Sequence, residues 1–164
     1  MTLKKLSEVD MRAVIQRVSR ASVKVGGEVV GRCGKGFLVL LCVMENDTEN
    51  EAGLLCRKIA NMRIFEDENG KINKSLSDVS GELLVISQFT LSANCVHGNR
   101  PDFLSATKPD RAIALFDHFV SLIRDTVPHT ETGVFGAHMD VELENDGPFT
   151  VWLDTDELKK KKDR

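Results

Sequence analysis

The run Phe37-Leu38-Val39-Leu40-Leu41-Cys42-Val43-Met44, eight apolar residues without a break, constrains this chain more than any other feature. It is far short of the ~20 residues a membrane helix needs. Its length and β-forming content predict a strand, and the absence of polar alternation predicts that both faces of that strand are covered. Such a strand sits at the centre of a sheet. The rest of the chain must supply flanking strands and covering helices, and 164 residues are enough to do so in one domain. A chain near this length buries roughly two-thirds of its unfolded surface. The content of 41% hydrophobic and 29% charged residues is that of a soluble domain, which excludes disorder, a collagen-like repeat and a disulfide miniprotein.

The flanking elements can be read from periodicity. Arg12 to Val18 alternates, with Ala13, Ile15 and Arg17 on one face and Val14, Gln16 and Val18 on the other. Ala21 to Val25 alternates again, and Gly26-Gly27 before Glu28-Val29-Val30 predicts a hairpin. Asp47-Thr48-Glu49-Asn50-Glu51 opens a helix, with Thr48 and Glu51 at capping-box spacing. Ala52, Leu55, Cys56, Ile59 and Met62 continue it at helical period over 49–62. Arg63-Ile64-Phe65 predicts a short strand, residues 68–71 a tight turn, and residues 82–91 a long strand with a polar second half. Residues 92–107 read as a loop. A second helix follows, with Pro109 in its first turn and a stripe of Ala112, Leu115, Phe116, Phe119, Leu122 and Ile123. Two further strands are predicted, Met139 to Glu144 and Phe149 to Leu153. The order is β-β-β-α-β-β-α-β-β, an α+β fold with a mainly antiparallel sheet. Residues 1–10 read as an N-terminal extension without the apolar core of a secretory signal. Lys159 to Lys162 form a run of four lysines within a solvated basic tail over 157–164.

Composition excludes several functions. The net charge of −3 argues against a globally basic nucleic-acid binder. Aromatic content of 5%, with no Tyr, argues against a stacking platform for single strands. Cys33, Cys42, Cys56 and Cys95 show no Cys-x-x-Cys spacing, and His97, His118, His129 and His138 no His-x-x-x-His. The cysteines therefore read as reduced thiols, mostly packed as small hydrophobes, in a cytoplasmic protein, and no metal or cofactor is expected.

Two segments break the local pattern. Ser87-Gln88-Phe89-Thr90-Leu91 ends an apolar strand in polar side chains. It is either a strand emerging into solvent or a strand end whose backbone N–H groups face a pocket. Asn145-Asp146-Gly147-Pro148-Phe149-Thr150 is either a hairpin turn or a loop with a special peptide bond, since an X-Pro bond adopts cis at modest cost.

Together these segments resemble the two signature motifs of the D-aminoacyl-tRNA deacylase family, also called D-tyrosyl-tRNA deacylases. The resemblance extends to residues 11–18, Gly34-Lys35-Gly36, residues 63–67 and residues 133–139, and spans about 11–156. Phe149 departs from it, standing where the family commonly has Val. The resemblance implies a compact, barrel-like, mainly antiparallel β core flanked by two helices, in a homodimer. It implies hydrolysis of the ester joining a D-amino acid, or glycine, to the terminal adenosine of tRNA, a proofreading step in translation. Ser87, Gln88, Phe89 and Thr90 would form the catalytic segment. Gly147 and Pro148, joined by a cis bond, would reach into the partner subunit's pocket and reject L side chains. Arg17 and Asn145 would support that loop. Phe135, Gly136, Ala137 and Met139 would form the adenosine pocket. With no base evident beside Thr90, attack by water aided by the tRNA 2′-OH is the favoured chemistry. A non-catalytic nucleic-acid-binding dimer of the same fold is the alternative.

Overall fold

A computed structural model describes residues 10–160. Its elements are β1 (Arg12–Val25), β2 (Glu28–Cys33), β3 (Gly36–Cys42), α1 (Glu49–Asn61), β4 (Phe65–Glu66), β5 (Ile72–Lys74), β6 (Glu82–Ser87), a 3-10 turn (Phe89–Ser92), α2 (Pro109–Arg124), β7 (Thr130–Thr132), β8 (Asp140–Asp154) and α3 (Thr155–Lys159).

The apolar run becomes β3, between β1 on one edge and β6 on the other. The main sheet runs β2-β1-β3-β6-β7, with β8 added along β1. β1 pairs antiparallel with β2, β3 and β8, while β3–β6 and β6–β7 are parallel, so the sheet is mixed. Alternation along β3 explains its uninterrupted apolar character. Phe37, Val39 and Leu41 join the core packed with α1 and α2, and Leu38 faces a second cluster with Val18, Ala21, Val23, Cys33, Leu84 and Ile86. That second cluster fills the inside of a nearly closed barrel. Its closure depends on Gly31 of β2: a Cβ there would stand 2.4 Å from the Thr132 carbonyl oxygen of β7.

The helices form for the reasons legible in their sequences. Thr48 caps α1 in a complete capping box with Glu51, and Ala52, Leu55, Cys56, Ile59 and Ala60 are buried. Pro109 opens α2, which buries Ala112, Leu115, Phe116, Phe119, Val120 and Ile123. The hairpin β4–β5 turns on Asp67, whose carboxylate accepts the N–H groups of Asn69 (2.9 Å) and Lys71 (3.1 Å).

Several expectations are corrected. The alternating stretches before and after Ser19-Arg20 form one strand of 14 residues. Its register against β8 slips between Gln16 and Arg20, and side chains of the same parity change face: Ala13 and Ile15 join the core packed with the helices, Ala21 and Val23 the second cluster. The long strand expected over 82–91 stops at Ser87, and the chain turns into the 3-10 turn. The short strand expected at 63–65 lies at Phe65–Glu66 instead. Residues 139–144 and 149–153 are not two strands joined by a turn but parts of the single strand β8. The described residues also hold a third helix, α3, built over the start of the expected tail. Lys159 is exposed yet anchored, its Nζ donating to the buried carboxylates of Asp10 and Glu51. Residues 1–9 of the expected extension and 161–164 of the tail lie outside the described residues.

Candidate functional site

Ser87 ends β6, and Gln88 is still held by the sheet, its N–H donating to the Leu41 carbonyl at 2.8 Å. Phe89 and Thr90 then begin the 3-10 turn. First-turn N–H groups have no acceptor within their own helix. Gln88 Nε2 donates to Thr90 Oγ1 at 2.5 Å, and the ring of Phe89 meets that of Phe103 edge-on at 5.2 Å. Phe89 and Thr90 are exposed. The turn is tied to the sheet by Arg12, whose Nη1 donates to the Leu91 carbonyl at 2.9 Å. Arg12 also pairs with Asp154 and lies over the ring of Trp152. Sequence reasoning missed Arg12, since alternation alone shows only that it shares a face with Val14 and Gln16.

Residues 133–139 flank this end of the barrel. The parallel pairing of Val85 with Thr132 carries both chains out on the same side. Gly133 allows a tight approach, with a Cβ there 2.5 Å from Met139 Sδ and 3.2 Å from Ile86 Cδ1. The ring of Phe135 packs edge-on against Phe116 of α2. Gly136 occupies the left-handed region (φ +78°), and the Ala137 N–H donates to the Val134 carbonyl at 3.2 Å, closing a turn over Phe135-Gly136.

Gly147 and Pro148 stand exposed on a bulge within β8, and the peptide bond between them is cis. Two side chains fix the bulge. Asn145 Oδ1 accepts the Phe149 N–H at 2.7 Å, and its Nδ2 donates to Thr150 Oγ1 at 3.1 Å. Arg17, only 7% exposed, donates from Nε to the Asp146 carbonyl (3.0 Å) and from Nη1 to the Ile64 carbonyl (2.7 Å). Its guanidinium also lies 3.6 Å from the Asp146 carboxylate and 4.9 Å from the centroid of the Phe149 ring. Arg17, Lys35, Phe65, Glu66 and Asp146 line a hollow of about 160 Å³ beside the bulge.

Within the chain the two segments do not converge. Arg17 is opposite Phe37, whereas Ser87 is opposite Leu41. These positions are separated along β3 by about 13 Å, at the usual rise of roughly 3.3 Å per residue. The chain thus brings Ser87–Thr90 together with the 133–139 loop at one end of the sheet, and Arg17 and Asn145 together with Gly147-Pro148 at the other.

Electrostatics narrows the chemistry. Burial pushes the Cys33 thiol up to about 12 and the Cys42 thiol up to about 11, so neither supplies a thiolate near neutrality. Among the described residues no group of three or more His, Cys, Asp or Glu side chains is arranged to hold a metal ion. What the 87–90 segment offers is backbone donors and a hydroxyl, the means of steadying charge on a substrate oxygen rather than of attacking it.

The same frame is found in solved structures. One, a c-Myc DNA Unwinding Element Binding Protein, superposes with a TM-score of 0.81 at 45% identity, covering 87% of this chain and 97% of that one. Another, a probable eukaryotic D-amino acid tRNA deacylase, superposes with a TM-score of 0.77 at 19% identity over 88% and 98% of the two chains, a likeness of fold alone. Curated relatives define the class as ester hydrolases of aminoacyl-tRNA. The D-aminoacyl-tRNA deacylase of Clostridium acetobutylicum is 54% identical over 88% of this chain and 97% of its own length. That of Thermus aquaticus is 54% identical over 90% and 97%. The chain belongs to the D-Tyr-tRNA(Tyr) deacylase family, whose model matches residues 14–154.

Proposed function

We propose that this chain cleaves the ester of D-aminoacyl-tRNA, and of glycyl-tRNA, to free amino acid and tRNA, and spares L-aminoacyl-tRNA. The observation that carries the reading is the family match through both intact segments, Ser87–Leu91 and Asn145–Thr150. In this reading residues 11–156 are the deacylase unit and the protein works in the cytoplasm. Among the described residues no helix is long and apolar enough to cross a membrane.

The separation of the two segments within a protomer supports a homodimer in which the Gly147-Pro148 bulge of one copy completes the 87–90 site of the other. The sheet supports it too. The face of β1, β3 and β8 turned away from the helices leaves Val14 and Leu40 part-exposed and Trp152 49% exposed. A second copy related by a two-fold axis would cover this face and create two equivalent sites.

The carbonyls of Gly147 and Pro148 stand against the substrate's α-carbon. They collide with an L side chain and leave a D side chain or a hydrogen free, so selection works by rejection. The N–H groups of Phe89 and Thr90 steady the oxyanion. The Gln88 N–H is already engaged by Leu41, which removes it from the donor set. Ser87 and Gln88 shape the segment, the Gln88 amide holding the Thr90 hydroxyl. Phe135, Gly136, Ala137 and Met139 receive the terminal adenosine. Water aided by the tRNA 2′-OH attacks the carbonyl, since among the described residues no base hydrogen-bonds to Thr90 Oγ1.

The test is deacylation of matched D-, L- and glycyl-tRNA. Release from the D and glycyl esters with sparing of the L ester is the expected result. A structural neighbour named for DNA binding favours a second reading, a non-catalytic nucleic-acid-binding dimer. Binding of nucleic acid without release from any ester would decide for it.

A further inference from the structure

The second half of α1 and the two residues after it carry a cluster of positive charge that the site described above does not use. Leu54, Arg57, Lys58, Asn61, Met62 and Arg63 line an open groove of about 520 Å³. Leu54 and Met62 are part-buried, while Arg57, Lys58 and Arg63 are exposed. Among the described residues none of these three cations forms a salt bridge, although the chain has 25 acidic residues to 22 basic ones. Arg20, Lys24 and Lys74, by contrast, each pair with a glutamate. The helix dipole favours a cation in the last turn, which accounts for Lys58 but not for Arg57 or for Arg63, which lies beyond the helix. Two of the cations are held in place. A Cβ on Gly53 would stand 3.3 Å from Arg57 Nη1, so the bare backbone at 53 makes room for that guanidinium. Arg63 is fixed by the β4–β5 hairpin, donating from Nε to the Asn73 carbonyl at 2.9 Å and from Nη2 to Asn73 Oδ1. The groove adjoins the bulge. Ile64 follows Arg63, and its carbonyl accepts from the same Arg17 guanidinium that holds Asp146, the residue before Gly147.

We propose that this groove binds the phosphate backbone of the acceptor stem of the tRNA whose ester the adjoining bulge screens. The inference rests on the D-aminoacyl-tRNA reading given above. In the dimer the bulge enters the partner's site and brings the groove beside it. The groove lies on the helix side of the sheet, away from the face a second copy covers, and so stays open. Beyond the terminal adenosine the substrate presents phosphates in series. Unpaired Arg and Lys side chains neutralise them whatever the bases and release their counterions. Affinity for tRNA is thereby concentrated on one surface of a chain whose net charge is −3.

The experiment compares wild type with the double variant Arg57→Gln, Lys58→Gln and with the charge-keeping pair Arg57→Lys, Lys58→Arg. Substrates are D-aminoacyl-tRNA and the same amino acid esterified to the trinucleotide CCA, each at several salt concentrations. Both positions are exposed, and thermal melts verify that the variants fold. The glutamine variant is expected to raise KM for the tRNA about tenfold at unchanged kcat, since a contact equal in ground and transition state contributes to KM alone. Its plot of log(kcat/KM) against log salt becomes shallower by about 2, roughly one for each cation removed. The trinucleotide ester, which has no stem, is cleaved alike by all three proteins, and the charge-keeping variant matches wild type on the tRNA. Unchanged KM and salt slope in the glutamine variant would overturn the inference. So would an equal loss on the trinucleotide ester, which marks damage to the site itself. If wild type cleaves no ester, the deacylase reading fails, and fluorescence anisotropy of uncharged tRNA decides on the groove: weaker binding by the glutamine variant supports it, and equal binding overturns it.

Discussion

Arg17 ties the Asn145–Thr150 bulge to the segment before β4, and its replacement has a calculable cost. Its two donors reach carbonyls on different segments, Asp146 of β8 and Ile64 before β4, and a lysine's single ammonium cannot span both. Hydrogen bonds to charged groups contribute about 1.5–3 kcal/mol each, so Arg17→Lys is expected to lower stability by about 2 kcal/mol, read as a shifted urea midpoint at unchanged slope. Thr90 stands at the other extreme. Among the described residues its hydroxyl is hydrogen-bonded by the Gln88 amide and by no base, so Thr90→Ala is expected to keep turnover within about tenfold of wild type, whereas loss of a true oxyanion donor costs roughly 10²–10³. An acyl ester trapped on Thr90 would contradict this. The roles of Arg17 and Asn145 were accessible from the sequence only through family resemblance. An arginine in an alternating strand does not announce which carbonyls it will meet, and for the same reason Arg12 passed unnoticed.

At the level of elements, the junction of β1, α1 and α3 is a buried cluster of charge. Asp47, fully buried, accepts the N–H groups of Met11 (2.7 Å) and Met44 (2.6 Å). Burial pushes its carboxyl up to about 7 from the ordinary 3.8. The folded state thus keeps a proton that the unfolded chain has already released. The stability this contributes is complete below about pH 4 and is lost as pH rises through about 7. Glu51 behaves oppositely. Burial raises its value, but hydrogen bonds from Lys159 and Thr48 outweigh that and hold it at about 2, so its contribution is present above the ordinary 4.5 and is lost as pH falls toward 2. Asp47→Asn is expected to flatten the stability profile between pH 4 and pH 7, measured by denaturant titration at several pH values. Lys159→Met leaves Asp10 and Glu51 without their cation. It is expected to cost ~1–2 kcal/mol, less than for a fully buried pair because the lysine side chain is 42% exposed. Periodicity located both long helices because a helix declares itself through a repeated stripe. It could not tell the polar end of β6 from a 3-10 turn, nor the bulge at Asn145–Thr150 from a hairpin turn. Those distinctions depend on hydrogen-bond partners that lie far away in the chain.

For the molecule as a whole, the open sheet face turns the dimer proposal into a sharp experiment. Trp152 is half-exposed, so Trp152→Glu is expected to fold normally, to run as a monomer in light scattering and to lose deacylation. A monomeric wild type that remained active at assay concentration would contradict the shared site. The apolar run of β3 did foretell a sheet covered on both sides. Closure of the barrel did not show in the sequence, because it hangs on the contact of Gly31 with Thr132 across 101 positions of chain. The most far-reaching of these distant pairings is that of β1 with β8, which runs from Arg12 opposite Asp154 to Lys24 opposite Asp140. Of the described strands, the first made on the ribosome therefore waits for the last. Until β8 clears the exit tunnel, one edge of β1 lacks this partner, and a long bare edge invites pairing with other chains. A nascent chain stalled before Asp140 should accordingly be open to protease and to chaperones, and acquire protection in a single late step once Asp154 has emerged.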